Sequence, residues 1–346
     1  MSLMKIPENI LISRTDSIGD VVLTLPVAAI LKKHFPKLKI GFIGKAYTKP
    51  VIDACKYVDE FIDINDFMQK KITVCTQKPQ AILHVFPVAN IARRAKQLRI
   101  PMRIGTTNRL YHWATCNKFI KLSRKNSDLH EAQLNIKLLE VFGITESYSL
   151  QEIGHLFGLK KIYEPDDKFS ALTKKNKYNL ILHPHSQGSA REWGLQNFAD
   201  LIHLLNKDRY NIFISGTQKE RKQMQPLFDE AGEFVNDITG TMNLDQFISF
   251  INECDGLVSN STGPLHIAAA LGKDALGIYA PMRPIHPGRW APLGAKAQVF
   301  VLDKTCNDCK KNKMSCHCIA AIRPLSLKNA LDKVAATRII NATVDK

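Results

Sequence analysis

Twice along the 346-residue chain, short apolar runs of strand length alternate with segments whose apolar residues recur at helical spacing. In the first half the strand-like runs are 9–13, 39–43, 60–64 and 80–86, and in the second they are 179–183, 211–215, 256–258 and 275–279. Helical spacing is expected at 21–35, through Leu23, Val27, Ile30 and Leu31, and at 128–142, 195–205, 220–230 and 244–254. Such alternation predicts parallel sheets wound on both faces by helices, because a parallel strand is reached only by a crossover. The chain is longer than most single domains, so two domains are expected. Periodicity fades over about 143–177, where Glu164-Pro165-Asp166-Asp167 and Lys174-Lys175-Asn176-Lys177 lie. The boundary is placed there, giving an α/β chain of two Rossmann-like domains, 1–165 and 178–325, facing across a cleft. A last helix over 326–346, carrying Leu327, Leu331, Val334 and Ile339, is expected to pack back across the junction.

Charge narrows the partners. The net charge is +16, and from Arg93 to Lys125 there are ten Lys or Arg residues and no Asp or Glu. This stretch, with Arg93, Arg94, Lys96, Arg103 and Arg109, suits a polyanion: a nucleic acid, an anionic membrane surface or a phosphorylated substrate. The other reading is a solvated basic face. Tyr111, His112 and Trp113 lie within it and also suit a sugar or carboxylate ligand. No nucleic-acid motif, Gly-x-Gly-x-x-Gly fingerprint or Walker loop is present. No apolar run approaches the roughly 20 residues that span a bilayer. The first residues lack the apolar core of a signal peptide, so a cytoplasmic location is expected.

Three loop segments carry chemistry. In Val258-Ser259-Asn260-Ser261-Thr262-Gly263-Pro264-Leu265-His266, a strand runs through small polar residues into an alanine-rich helix. Ser261 or Thr262 caps that helix and Pro264 suits its first turn. The N–H groups there form an anion site, which His266 is placed to face. In His183-Pro184-His185-Ser186-Gln187-Gly188-Ser189-Ala190-Arg191-Glu192-Trp193, the hydroxyls, the amide and the fixed cation of Arg191 suit a diphosphate. The alternative is a solvent loop whose Trp193 anchors the next helix. The loop Arg14-Thr15-Asp16-Ser17-Ile18-Gly19-Asp20 presents two carboxylates at a strand-to-helix junction. Asp20 is either a helix-capping residue or a group facing the ligand.

Eight cysteines in a cytoplasmic chain argue against a disulfide framework. Cys306, Cys309, Cys316 and Cys318 are clustered, and are either a structural zinc site or reduced or partly oxidised surface thiols.

The Asn260–Gly272 run resembles the C-terminal nucleotide-sugar signature of glycosyltransferase family 9, the heptosyltransferases of lipopolysaccharide core assembly. Ser261 stands where many members have Asp. The Asp16–Pro26 run is similar to the family's N-terminal signature, and Arg191 with Trp193 matches its middle one, with Arg where Lys is common. The resemblance implies a GT-B fold and transfer of a heptose from ADP-heptose, with inversion, to the inner core of lipopolysaccharide. It implies Asp20 as base and Ser186, Gln187, Arg191, Ser261, Thr262, Gly263 and His266 around the donor. Asp237 would meet the nucleotide ribose, and Arg289 is a secondary contact. The acceptor, an anionic lipopolysaccharide precursor, would lie on Arg93, Arg94, Lys96, Arg103 and Arg109, with the enzyme peripheral at the inner face of the inner membrane. No cofactor is required on this reading and no nucleic-acid partner is expected. The rivals are a GT-B enzyme using another nucleotide sugar and a basic nucleic-acid-binding protein.

Overall fold

The computed structural model describes residues 6–125, 127–304, 306 and 316–344, with side chains described as far as residue 338. The chain forms two compact units, Met1–Lys161 and Ile162–Lys346.

In the first unit, β1 (Asn9–Ser13), β2 (Lys39–Gly44), β3 (Glu60–Asp63), β4 (Ala81–His84), β5 (Met102–Thr106) and β6 (Lys118–Ile120) form one sheet in the order β3-β2-β1-β4-β5-β6. Every pairing is parallel. The central strand β1 is buried along its whole length, as its uninterrupted apolar run requires of a strand covered on both faces. Leu11, Ile43, Ile82, Ile91 and Ala95 meet in a core on one side of this sheet.

The second unit repeats the plan. Its strands are β7 (Tyr178–His183), β8 (Tyr210–Ile214), β9 (Val235–Asp237), β10 (Gly256–Asn260), β11 (Asp274–Ile278) and β12 (Ala297–Phe300), in the order β12-β11-β10-β7-β8-β9. All are again parallel. Its core holds Trp193, Phe198, Tyr210 and Leu276. The last helix, Pro324–Val344, sets Leu327, Leu331 and Ala335 into that same core. Arg338 Nε lies 2.6 Å from an Asp255 carboxylate oxygen.

Three helices expected to be continuous are interrupted. The run at 21–35 is two helices, Ile18–Val22 and Leu25–His34, because Pro26 lacks an N–H and is accommodated only in a first turn. Pro226 divides Gln218–Gln223 from Gln225–Ala231 in the same way. The stretch at 128–142 is the helix Glu131–Ile136 followed by a 3-10 segment, Lys137–Phe142, which stops at Gly143 with φ +78°.

Candidate active site

Both sheets reverse their winding direction in the middle. The first three strands of each unit run outward on one side and the last three on the other, so the reversal falls between β1 and β4, and again between β7 and β10. At such a point the helices that follow the two neighbouring strands leave toward opposite faces, and a crevice opens beyond the carboxyl ends of the strands. The loops bordering the two crevices are those after β1 and β4, and those after β7 and β10. Asp20 lies beyond β1; Ser186 and Arg191 lie beyond β7; Thr262 and His266 lie beyond β10.

In the second unit the two crevice loops are joined through buried polar contacts. The Asn260 side-chain oxygen accepts from Trp193 N–H at 2.9 Å, and its amide donates to Pro184 O at 2.5 Å. Ser259 Oγ donates to His183 O at 2.9 Å. Trp193 is fully buried, with its Nε1 donating to Ile322 O at 2.8 Å. The 184–193 loop is therefore fastened beside the turn that opens the Gly263–Ala270 helix. Thr262 is the N-cap of that helix, and its side chain makes no capping bond. It shares a 2.8 Å hydroxyl contact with Ser259 instead, so it leaves the N–H groups of Gly263 and Leu265 uncapped, while the His266 N–H donates to Thr262 O at 3.4 Å. Thr262 and His266 are buried, while Ser261 and Gly263 are half-buried.

Ser186 turns inward. Its N–H and its hydroxyl donate to Glu192 Oε1 at 2.8 and 3.0 Å, so it closes the loop on itself. Glu192 Oε2 lies 2.9 Å from His185 Nδ1. That bond raises the His185 imidazole, while Glu192, pushed up by burial, is held below its usual range by His185 and Ser186. Gln187 adopts φ +51° at the exposed tip, and Arg191 is half-buried on the same loop. Burial holds the neighbouring His183 down at about 4, and its Nδ1 lies 2.9 Å from Ser215 Oγ. Asp237 ends β9, two strands beyond β7 and therefore roughly 10 Å along the rim. Its carboxylate accepts from Arg221 Nε at 2.6 Å and from Thr239. Arg289 lies in the short helix Pro287–Trp290, with its guanidinium over the Trp290 ring.

In the first unit the crevice is built on Arg14. The last pairing of β1 sets Ser13 opposite His84, so the chain beyond β1 emerges beside the β4 loop. The Arg14 guanidinium is almost completely buried and contacts three carboxylates: Asp16 at 2.7 Å, Glu131 at 3.0 Å, and Asp20. Burial opposes its charge, yet Asp20, Asp16 and Glu131 more than offset this and push the guanidinium further up. Ser17 Oγ donates to the other oxygen of Asp20. Arg14 also lies over the Phe86 ring, and Arg124 donates to Glu131 at 2.9 Å and to Val85 O at 2.9 Å. Burial pushes the Asp16 carboxyl up to about 6, with Arg14 opposing and Asp20 adding to the rise. Asp20 is thus held in the first turn of the helix Ile18–Val22 by a fixed cation and a hydroxyl.

The basic stretch is divided among several tasks. Arg94 donates to Phe67 O and Lys70 O, and Arg103, on β5, donates to Thr115 O and Ile100 O. Arg94 thus ties its helix to the chain at 67–70, and Arg103 joins the segments on either side of β5. Arg93 and Lys96 are exposed on the helix Ala89–Gln97 and line a groove beside the helix Leu110–Thr115. Arg109 is exposed at the N-cap of that second helix. Of the cysteine cluster, Cys306, Cys316 and Cys318 are buried in the second core, and Cys309 lies outside the described residues. Among the described residues no group of three or more His, Cys, Asp or Glu is set to hold a metal.

Arg14, Glu131, Glu192, Asn260 and Ser259 were not singled out from sequence. Asn260 stood inside a quoted motif, and its buried position at the end of an apolar strand was the available signal. Glu131 gave none, since an acidic residue in a first helical turn is ordinary.

A family model described as glycosyltransferase family 9 (heptosyltransferase) matches residues 88–320. A Haemophilus influenzae protein named as a glycosyltransferase is 26% identical over 305 residues, covering 83% of this chain and 86% of that one. The crystal structure of the glycosyl transferase family 9 from Veillonella parvula superposes with a TM-score of 0.74 at 18% identity, over 97% of this chain and 99% of that one. The E. coli ADP-heptose lps heptosyltransferase II does so with a TM-score of 0.72 at 17% identity, over 96% and 99%. The chain has the GT-B fold of these structures, and with two thirds of its length inside the family model it belongs to glycosyltransferase family 9.

Proposed function

We propose that this enzyme moves a heptose from ADP-heptose, with inversion, to a hydroxyl of the inner core of lipopolysaccharide. The observation that carries the reading is Asp20, held by Arg14 and Ser17 beyond β1 in a chain whose family is described as heptosyltransferase. The donor named for the E. coli structural relative supports ADP-heptose.

The reaction is a single displacement. The acceptor oxygen forms its bond to the anomeric carbon as that carbon's bond to the diphosphate breaks. Asp20 takes the hydroxyl proton and ADP leaves with the bonding electrons. The open N–H groups at Thr262–Gly263, with Arg191 and His266, stabilise the diphosphate charge, so a metal is not required. Ser186 and Glu192 keep the 184–193 loop in shape for that contact, Gln187 reaches the donor from the loop tip, and Asp237 meets the ribose. Lipopolysaccharide precursors are anionic and membrane-anchored, so the enzyme works as a peripheral protein at the inner face of the inner membrane. Among the described residues no helix is long and apolar enough to cross a membrane.

Calorimetric titration with ADP, UDP and GDP in parallel tests the donor. ADP is expected to bind most tightly, and tighter UDP or GDP binding would replace the donor assignment. Asp20→Ala is expected to lower transfer roughly 10² to 10⁴ fold with ADP affinity kept. A near-normal rate removes Asp20 as base. A structural zinc on Cys306, Cys309, Cys316 and Cys318 is a separate proposal, refuted by less than about 0.1 zinc per chain in protein prepared without chelator.

A further inference from the structure

The groove on the first unit is a different place from the Asp20 crevice. It holds about 610 Å³ between the helices Ala89–Gln97 and Leu110–Thr115, and Arg93, Lys96, Arg99 and Tyr111 line it. Both helices run away from the carboxyl ends of the strands. Lys96, Arg99 and Thr115 consequently lie toward the amino ends of β5 and β6, on the rim opposite Asp20. Lys96 Nζ donates to Ala114 O at 2.8 Å, which joins the ends of the two helices.

Beside this groove the helix Leu110–Thr115 presents apolar groups to solvent. Leu110 is 89% exposed and Trp113 is 60% exposed. Residues 110, 113 and 114 share one face of a helix by their three- and four-residue spacing. Trp113 already satisfies its own polar atom, with Nε1 donating to Thr107 O at 3.1 Å, and its ring stacks on Phe119 with centroids 4.8 Å apart. The ring is thus held rigidly with an apolar surface outward and no hydrogen bond to lose on leaving water. Arg93, Lys96 and Arg99 line the groove on the flank of this helix that Tyr111 and Ala114 form, Arg109, Lys118 and Lys121 are exposed as well, and no acidic residue occurs from Arg93 to Lys125.

We infer that this face, with Leu110 and Trp113 as the inserting residues and Arg93, Lys96 and Arg99 as the headgroup contacts, docks the enzyme on an anionic phospholipid bilayer. Charge complementarity selects the partner: a basic surface with an exposed aromatic and an exposed leucine matches the boundary between anionic headgroups and acyl chains. A polyanion in free solution would use the cations and leave Leu110 idle. The inference rests on the reading of a membrane-anchored acceptor, and it assigns to docking the basic groove that composition alone associates with acceptor binding.

Co-sedimentation with vesicles tests it without nucleotide or acceptor, so that its failure is separable from failure of the heptosyltransferase reading. The full chain is expected to bind vesicles of phosphatidylcholine with phosphatidylglycerol and not vesicles of phosphatidylcholine alone. Leu110→Ser and Trp113→Ala should each lower binding about tenfold. Arg99→Gln should lower it about fivefold, an effect that fades in high salt. ADP affinity should be unchanged in all three. Leu110→Ser and Arg99→Gln alter exposed side chains, so loss of folding does not confuse the result. Unaltered vesicle binding in Leu110→Ser and Trp113→Ala, or retention on DNA with no vesicle binding, overturns the inference.

Discussion

Arg14 Nε donates to Asp16 at 2.7 Å from a side chain only 2% exposed, while Asp16 itself is 23% exposed. One guanidinium thus sits behind the crevice and holds two carboxylates at its surface, with Glu131 closing the buried side. Its removal uncovers three negative charges at once. Arg14→Met is expected to destabilise the protein by about 3–5 kcal/mol, the range for breaking a buried ion pair from one side. Arg14→Lys keeps the charge and loses the planar fork, so it should recover stability better than transfer rate. Denaturant unfolding and initial rates check this, and an Arg14→Met protein as stable as wild type would contradict the arrangement.

The Asp16 carboxyl, raised by burial to about 6, gives a pH dependence with a defined sign. Its unfolded value is near 3.8, so between about pH 4 and 6 the folded state binds more protons than the unfolded one. Its contribution is therefore most favourable at low pH and is lost as pH rises through 6. His183, held down at about 4 by burial, acts oppositely: its contribution is present above about 6.5 and is lost as pH falls toward 4. Comparison of wild type with Asp16→Asn cancels the histidine effect. The variant should gain in relative stability from pH 5 to pH 7, and parallel melting curves at both pH values would refute the assignment.

Asn260 bridges two loops from a fully buried position, taking Trp193 N–H and giving to Pro184 O. Asn260→Ala leaves both backbone groups buried without a partner, at roughly 1–3 kcal/mol each. ADP affinity should fall as well, because the 184–193 loop is no longer fastened beside the Thr262 turn. Thermal unfolding and nucleotide titration together separate this from a simple loss of fold, for which residual folded protein would bind ADP normally.

Gly294 has no space for a side chain. A Cβ there would stand 2.5 Å from Ala269 O, a backbone atom of the signature helix. Gly294→Ala should therefore displace that helix and cost about 1–3 kcal/mol. The same substitution at Gly188, where a Cβ meets nothing, makes a useful contrast, since there only the φ of +78° resists.

The alternation of apolar runs was sufficient to read two parallel α/β units, because a continuous apolar strand is stable only when both faces are covered. It was insufficient for β5, β6, β9 and β12, where Arg103, Lys118, Asn236 and Gln298 interrupt the pattern at or near sheet edges. The side chain of Arg103 lies along chain carbonyls, an option that hydropathy does not record.

The sequence by itself determined which strand-to-helix loops stand beside the two sheet reversals, because a strand that ends in small polar residues before a helix is recognisable from its local pattern. Tertiary structure alone decided what stands behind those loops. Arg14 meets Glu131 across 117 residues and Trp193 meets Asn260 across 67, pairings produced by the reversal of strand order. It also divided one basic stretch into arginines that bind chain carbonyls and an exposed groove on the far rim. Local composition is the same for both, and only the helix direction relative to the strands tells them apart.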